Sequence, residues 1–334
     1  MRPRRTLHIL MIVSPFVVGF FALFAGAYDV TPLDVLRALI CRLPFAHGLA
    51  DEAERGIIMD IRLPRVVLAG LVGLILSGSG VTLQGLFRNP LVDPFILGVS
   101  AGAALGCALS IGFFPHAPIQ VMAFVFGIAA VVLAYTMART QGEISRLPLV
   151  LSGVIVSAFF TALVSIVKFL VDPHQLQSIV YWLMGSFSLA GWPGVKIALL
   201  GVASLLPVYF MRWRINVLSM GEEEAKSLGI NVKRDRMALL VSASLSVSLA
   251  VSVSGIIGWV GLIVPHLVRM ATGPDHKSLV PLSMAVGAAF MILADTVARG
   301  LTSLDVPVGI VTAILGAPFF IYLMKRGGKE SWGS

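Results

Sequence analysis

The sequence predicts an all-α, polytopic membrane protein of about ten transmembrane helices, and three observations carry that prediction. Hydrophobic residues make up 57% of its 334 residues, charged residues only 13%, and the mean hydropathy is +0.93. A soluble domain holds about a quarter charged residues, so this chain has too few to cover an aqueous surface. Apolar runs long enough to cross a bilayer core, about 20 residues each, recur with short connections between them. The lysines and arginines, finally, gather in alternate connections. The whole of 1–334 reads as a single transmembrane domain with no separate soluble part.

Arg2, Arg4 and Arg5 open the chain, and an apolar run follows from Leu7 to Ala27. A secretory signal has an apolar region of about 7–15 residues, so this longer run reads as an uncleaved first span, 7–27. The next spans fall at 66–86, 95–114, 118–138, 148–171 and 193–211, then at 237–254, 256–271, 279–298 and 308–324. The stretch 237–271 is nearly unbroken apolar sequence. As one helix it would be about 52 Å long against a hydrocarbon core of about 30 Å, so it must reverse. Ser254, Gly255 and Gly258 are the natural place. The stretch 177–190 is too short to span, and its Tyr181 and Trp182 suit an interfacial or folded-back segment.

With the N-terminus inside and ten spans alternating, 17 of the 25 lysines and arginines fall in inside segments, and 8 in outside segments or outer span ends. The positive-inside rule requires that excess, and basic termini favour an even number of spans. Both termini are therefore expected in the cytoplasm and the chain in the cytoplasmic (inner) membrane. The formal net charge of +8 is explained by these loops and implies no nucleic acid. Two connections are long. The outside segment 28–65 is hydrophilic, with an amphipathic turn at Pro32 to Leu43. The inside segment 212–236 carries Glu222, Glu223 and Glu224 between Gly221 and Gly229. Good helix formers led by acids suit the positive end of a helix dipole, which predicts a short cytoplasmic helix there.

Chemistry-bearing groups are sparse. Cys41 and Cys107 lie far apart without metal-ligand spacing, so neither a disulfide framework nor a zinc site is expected. The densest motif is Gly80 to Gly102, GVTLQGLFRNPLVDPFILGVSAG. Pro90 and Pro94 stop helices, and Gly78, Ser79, Gly80, Gly98, Ser100, Gly102 and Gly106 let helices approach closely. Arg62–Leu63–Pro64–Arg65 opens the second span; Gly258 to Arg269 and Asp305 to Phe320 form further motifs. Pro265 and His266 read as structural. Asp295, four residues before Arg299 in Ala294 to Gly300, can pair with it along one helix face. No G-x-x-x-x-G-K-[ST] loop occurs, so any ATP chemistry belongs to another polypeptide. No clustered nucleophile or metal set suggests an enzyme.

In order along the chain, RLPR, Q..FRNPL..P..LG.S.GA, MGEEEAKSLGINV, GLIVPHLVR..TGPDH, AD..AR and PVGIVTAILGAPFF resemble the FecCD-type permeases. That family includes the vitamin B12, haem and ferric-siderophore importers. The resemblance implies a type II ABC importer permease fold with ten helices per subunit and no cofactor of its own. It further implies a homodimer with a second copy of the chain, two cytoplasmic ATP-binding subunits and an extracytoplasmic substrate-binding protein, all on membrane lipid. By the same resemblance, Arg62, Arg65 and Arg299 would dock acidic residues of the binding protein. Gly221, Glu222, Glu223, Ala225, Leu228 and Gly229 would form the helix that couples to the ATPase. The Asn-Pro-Leu turn resembles a cytoplasmic gate of the cobalamin permease, which implies pathway or gate positions at Gln84, Asn89, Pro90 and Leu91. The expected cargo is a ferric siderophore or other iron complex, haem or cobalamin, with oxyanions a minor option. The competing reading is an ion-coupled secondary transporter, which would usually need ionisable groups near the midplane that these spans largely lack.

Overall fold

In the computed structural model, which describes residues 2–26, 28, 30–40, 52–139, 146–300 and 305–327, each of the ten apolar runs contains a helix and no strand forms among the described residues. α1 (Arg2–Ala22) is followed by the short α2 (Pro32–Ile40) and α3 (Glu52–Gly56), which leads through a π-helical stretch (Ile57–Arg62) into α4 (Leu63–Phe87). α5 (Val99–Gly112), α6 (Ile119–Ala138), α7 (Arg146–Leu170) and α8 (Pro173–Leu183) come next. α9 (Trp192–Ser204) and α10 (Leu206–Met220) run nearly end to end, and α11 (Glu222–Ser227) is the short helix expected between Gly221 and Gly229. α12 (Val232–Ser254), α13 (Val260–Thr272), α14 (His276–Gly300) and α15 (Val308–Gly327) complete the order. Among the described residues, seven helical stretches are long and apolar enough to cross a membrane, and α5, α13 and the first part of α15 are shorter apolar helices.

α4 sits at the centre because its sequence is small along several faces. It packs against α14, α13, α12, α9 and α10. A Cβ at Gly73 would collide with the Gly287 carbonyl of α14, and one at Gly80 with the Gly261 carbonyl of α13. Gly102 and Gly106 do the same for α5 against the Phe126 and Met122 carbonyls of α6. Lipid gives helices no hydrophobic reason to associate, so close backbone approach and van der Waals contact take its place. The outer surface is apolar instead: Phe16, Phe169 and Leu189 are all largely exposed. An apolar perimeter around a small-residue interior is the inverse of a soluble fold and fits lipid as solvent.

Two boundaries differ in an informative way. α5 begins at Val99, four residues later than the apolar run suggests, because Asp93 Oδ1 accepts from the Phe95 N–H at 2.8 Å in a tight turn and Gly98 has a left-handed φ of 84°. The 237–271 run does reverse where the glycines predict: α12 ends at Ser254, Gly255 has φ 68°, and α13 starts at Val260. Irregular backbone this deep survives only where protein groups satisfy it. Here the Ser186 N–H donates to Ser254 O at 2.8 Å. α8 ends at Leu183, so the 177–190 stretch does not span. The amphipathic turn expected at Pro32 to Leu43 is helical to Ile40; its remainder, with Cys41, lies outside the described residues. Cys107 is a buried free thiol.

Candidate functional site

Three clusters hold the residues singled out by sequence, and they sit at opposite ends of α4. At its start, Arg65 donates from Nε and Nη2 to Asp295 Oδ1 at 3.1 and 3.0 Å, and from Nη1 to Asp305 Oδ2 at 3.0 Å. Arg299 Nε lies 3.2 Å from Asp295 Oδ2, the pair expected along one face of α14. Arg62 donates from Nη1 to the carbonyls of Leu23 and Phe24 at 2.8 and 3.3 Å, and from Nη2 to that of Tyr28. Arg299 Nη1 and Nη2 reach the Ala25 and Ala22 carbonyls at 2.8 and 3.3 Å. Two guanidinium groups from elsewhere in the chain thus cap the C-terminus of α1, whose own last turn has no base. The π-helical stretch before α4 frees the Met59 carbonyl, which accepts from the Trp192 indole at 3.2 Å.

The three arginines expected to offer themselves to a binding protein are therefore committed inside the chain: Arg62 is 5% exposed and Arg65 8%. The reason is electrostatic. A guanidinium taken out of water must be paired, and these are paired with their own chain's carboxylates and helix-end carbonyls. Asp305, which sequence placed only in the last motif, is the exposed member of the set, at 42%.

At the other end of α4, Arg88 is left-handed, with φ 52°, and donates from Nε and Nη2 to Leu218 O of α10 at 3.2 and 3.0 Å. Asn89, Pro90 and Leu91 follow in an exposed turn in which Asn89 Oδ1 accepts from the Leu91 N–H at 2.9 Å. Gln84 is separate from that turn's surface: it is 2% exposed, donates to Gly261 O at 3.3 Å and accepts from Arg269 Nη2 at 2.9 Å. It ties α4 to α13 and lines no open surface. In the same connection, burial pushes the Asp93 carboxyl up to about 6, against the opposing Phe95 N–H. The folded value lies above the ordinary 3.8, so the protein binds this proton more tightly folded than unfolded. Stability should then fall as pH rises from about 4 through about 6. Asp93→Asn keeps the acceptor and should flatten that slope, with a higher unfolding temperature at pH 7, read on the detergent-solubilised protein; an unchanged slope would refute the assignment.

α11 completes this end. Its buried Ala225 accepts from the Ile230 N–H at 3.0 Å, Gly229 has φ 76°, and Leu228 stands exposed. Glu223 pairs with Lys226 at 2.9 Å in solvent. Glu222 accepts from Arg236 of α12 at 2.5 Å, and that hydrogen bond holds its carboxyl below the usual range. Arg214 of α10 binds Asp235 of α12 at 2.9 Å. Sequence had marked Glu222 but not Arg236; a base fourteen residues on, beyond a turn, has no helical spacing to reveal it.

Between the two ends, a cavity of about 420 Å³ opens between α8, the α12–α13 break and α15. Leu183, Met184, Ile256, Trp259, Ile310 and Ile314 line it, and no charged residue does. Pro265 is buried within α13; His266, half-buried, faces Phe320 of α15 with ring centroids 6.5 Å apart. No group of His, Cys, Asp and Glu able to hold a metal exists among the described residues.

The model of the FecCD transport family matches residues 12–326. The "Probable iron chelatin transport system permease protein" of Helicobacter pylori is 49% identical over 283 residues, 84% of this chain and 86% of that protein. The hemin transport system permease protein of Yersinia pestis is 39% identical, covering 85% and 87%. A solved structure described as "An inward-facing conformation of a putative metal-chelate type ABC transporter" is 36% identical, with a TM-score of 0.85 over 96% of this chain and 99% of that one.

Proposed function

This chain belongs to the FecCD transport family and has the type II ABC importer permease fold, and from that premise we propose that it is the transmembrane permease subunit of a binding-protein-dependent importer of a chelated metal. The observation that carries the reading is the superposition on a metal-chelate type ABC transporter over nearly the whole chain. The subunit does no covalent chemistry. ATP is hydrolysed on two partner subunits that seat the Gly221–Gly229 segment, where the exposed Leu228 offers an apolar tip. A second copy of the chain completes the pathway, both tails lie in the cytoplasm, and the membrane is the cytoplasmic one.

The binding protein docks at the opposite end, over α1, α4 and α14. Arg62, Arg65 and Arg299 contribute the shape and positive potential of that face through the partners they hold, with Asp305 at its rim. Asn89, Pro90 and Leu91 form the exposed turn at the cytoplasmic gate, and Gln84 braces it from inside. The apolar cavity suits a bulky chelate that hides its metal behind ligand carbon; a small oxyanion would find no cation there. An iron complex, haem or a corrinoid fits that chemistry. Ion coupling fits less well: Asp235 and Asp295 are buried in ion pairs, and Asp93, whose carboxyl burial pushes up, lies in the connection between α4 and α5 and not within a span. The test is uptake of a radiolabelled ferric siderophore into proteoliposomes holding the chain, its ATPase subunits and loaded binding protein. Uptake should require ATP. Uptake driven by an ion gradient with the ATPase subunits left out would overturn the reading.

A further inference from the structure

The α12–α13 break contains a backbone conformation that its residue does not favour. Trp259, at the entrance to α13, has φ 74° and ψ −33°. A bulky side chain at positive φ is an outlier that costs energy and persists only where the surroundings fix it. The neighbours are built for such a bend, with Gly255 at φ 68° and Gly258 in open space, yet the left-handed position falls on the tryptophan. What fixes it is α15. The indole lies over Gly316, where an added Cβ would stand 2.6 Å from both Cγ and Cδ2 of Trp259. Its ring centroid is also 6.3 Å from that of Phe320, one turn further on.

α15 is otherwise lightly held. It packs against α14 and α13, while Ile310, Ile314, Leu315 and Ile321 face outward from it. Its start is pinned where Gly309 N–H donates to Gly185 O at 3.3 Å, and a Cβ at Gly309 would collide with the Met184 carbonyl. Both Trp259 and α15 line the cavity. A rigid ring on a strained backbone thus bears on one glycine of the helix that forms the opposite wall.

We propose that Trp259 is a positioning residue that clamps α15 against α13 and sets the width of the cavity, so that α15 is the wall that moves when the importer works. The proposal rests on the importer reading and adds a mechanical role for Trp259 and Gly316, in the motifs Gly258 to Arg269 and Asp305 to Phe320. Strain at Trp259 is retained because the ring must stand at the level of Gly316; a glycine there would satisfy the backbone and release the helix.

The experiment uses the chain in complex with its ATPase subunits, with Cys41→Ser and Cys107→Ala as background. Spin labels are placed at Met270→Cys on α13 and Ile321→Cys on α15, both exposed positions. With one labelled and one unlabelled copy of the chain in each complex, the parent should give one narrow distance distribution without nucleotide and a different one with a non-hydrolysable ATP analogue. Trp259→Ala should broaden both, and Trp259→Phe, which keeps a ring, should restore them. Gly316→Ala puts a methyl group into the indole, and ATP hydrolysis by the complex should fall about tenfold, the scale of overpacking a rigid contact. Adding Trp259→Ala to Gly316→Ala should recover most of that loss, because the colliding ring is gone. A Trp259→Ala distribution identical to the parent's overturns the clamp, as does a Gly316→Ala defect that persists in the double variant. A parent distance indifferent to nucleotide, with hydrolysis intact, overturns the moving wall. A parent complex that hydrolyses no ATP overturns the importer reading itself.

Discussion

Asp295→Asn is expected to destabilise the protein more than any other single change in the charge cluster, by about 3–5 kcal/mol, the usual cost of stripping one partner from a buried ion pair. Asp295 is 1% exposed and lies between two guanidinium groups, 3.0 Å from Arg65 Nη2 and 3.2 Å from Arg299 Nε. Neutralising it leaves two buried cations facing each other, with only the half-exposed Asp305 and helix-end carbonyls to hold them. Arg65→Met should cost less. Asp295 keeps Arg299 as its partner in that variant, and Asp305 can turn to water. The double variant should fall short of the sum of the two, because the first change has already removed what the second would break. Chemical denaturation in detergent gives the order. An Asp295→Asn protein as stable as its parent, yet poor at recruiting the binding protein, would mean that the cluster is a docking site first and a brace second.

That cluster also marks how far the sequence could be read. The apolar helices were legible because hydropathy is a property of one segment at a time: each of the ten runs placed from it contains a helix, and seven helical stretches among the described residues are long and apolar enough to span. The Asp295–Arg299 pair was legible for the same reason, being four residues apart on one helix. Arg65–Asp295 was not, since 230 residues separate them and only the packing of α4 on α14 brings them together. The burial of Arg62 and Arg65 was not legible on the same ground. Charge counting placed them at span ends, where solvent would be expected, but the carbonyls of Leu23, Phe24 and Tyr28 fold back over Arg62. Gln84 likewise sits in a motif whose turn is exposed while its own side chain points into the α4–α13 contact. Trp259 gave no signal at all, because nothing in GWVGL announces that the bend will fall on the tryptophan and not on Gly258.

Reversing the charge of Glu222 should separate ATP hydrolysis from transport. The short α11 touches the rest of the chain mainly through α10, which precedes it, and α12, which follows. Ala225 seats it by burial, and Glu222 joins it to α12 through Arg236. A push on α11 from a partner subunit can reach the spans through its two flanking turns or through that ion pair. Gly229, at φ 76° in open space, makes the second turn a poor lever. Glu222→Lys places a cation against Arg236 and near Arg146, which already feels the positive charges of Arg88 and Arg236. Uptake per ATP hydrolysed should drop about tenfold, the upper range of coupling carried by one contact between distant sites. Glu222→Arg with Arg236→Glu rebuilds the pair in reverse and should return most of the coupling, whereas Glu223→Lys, which loses only a solvent-exposed bond to Lys226, should matter little. If the reversed pair stays uncoupled and Glu222→Gln is uncoupled as well, the charge of Glu222 serves the partner subunit and not α12, and the route by which α11 moves the spans lies in the backbone.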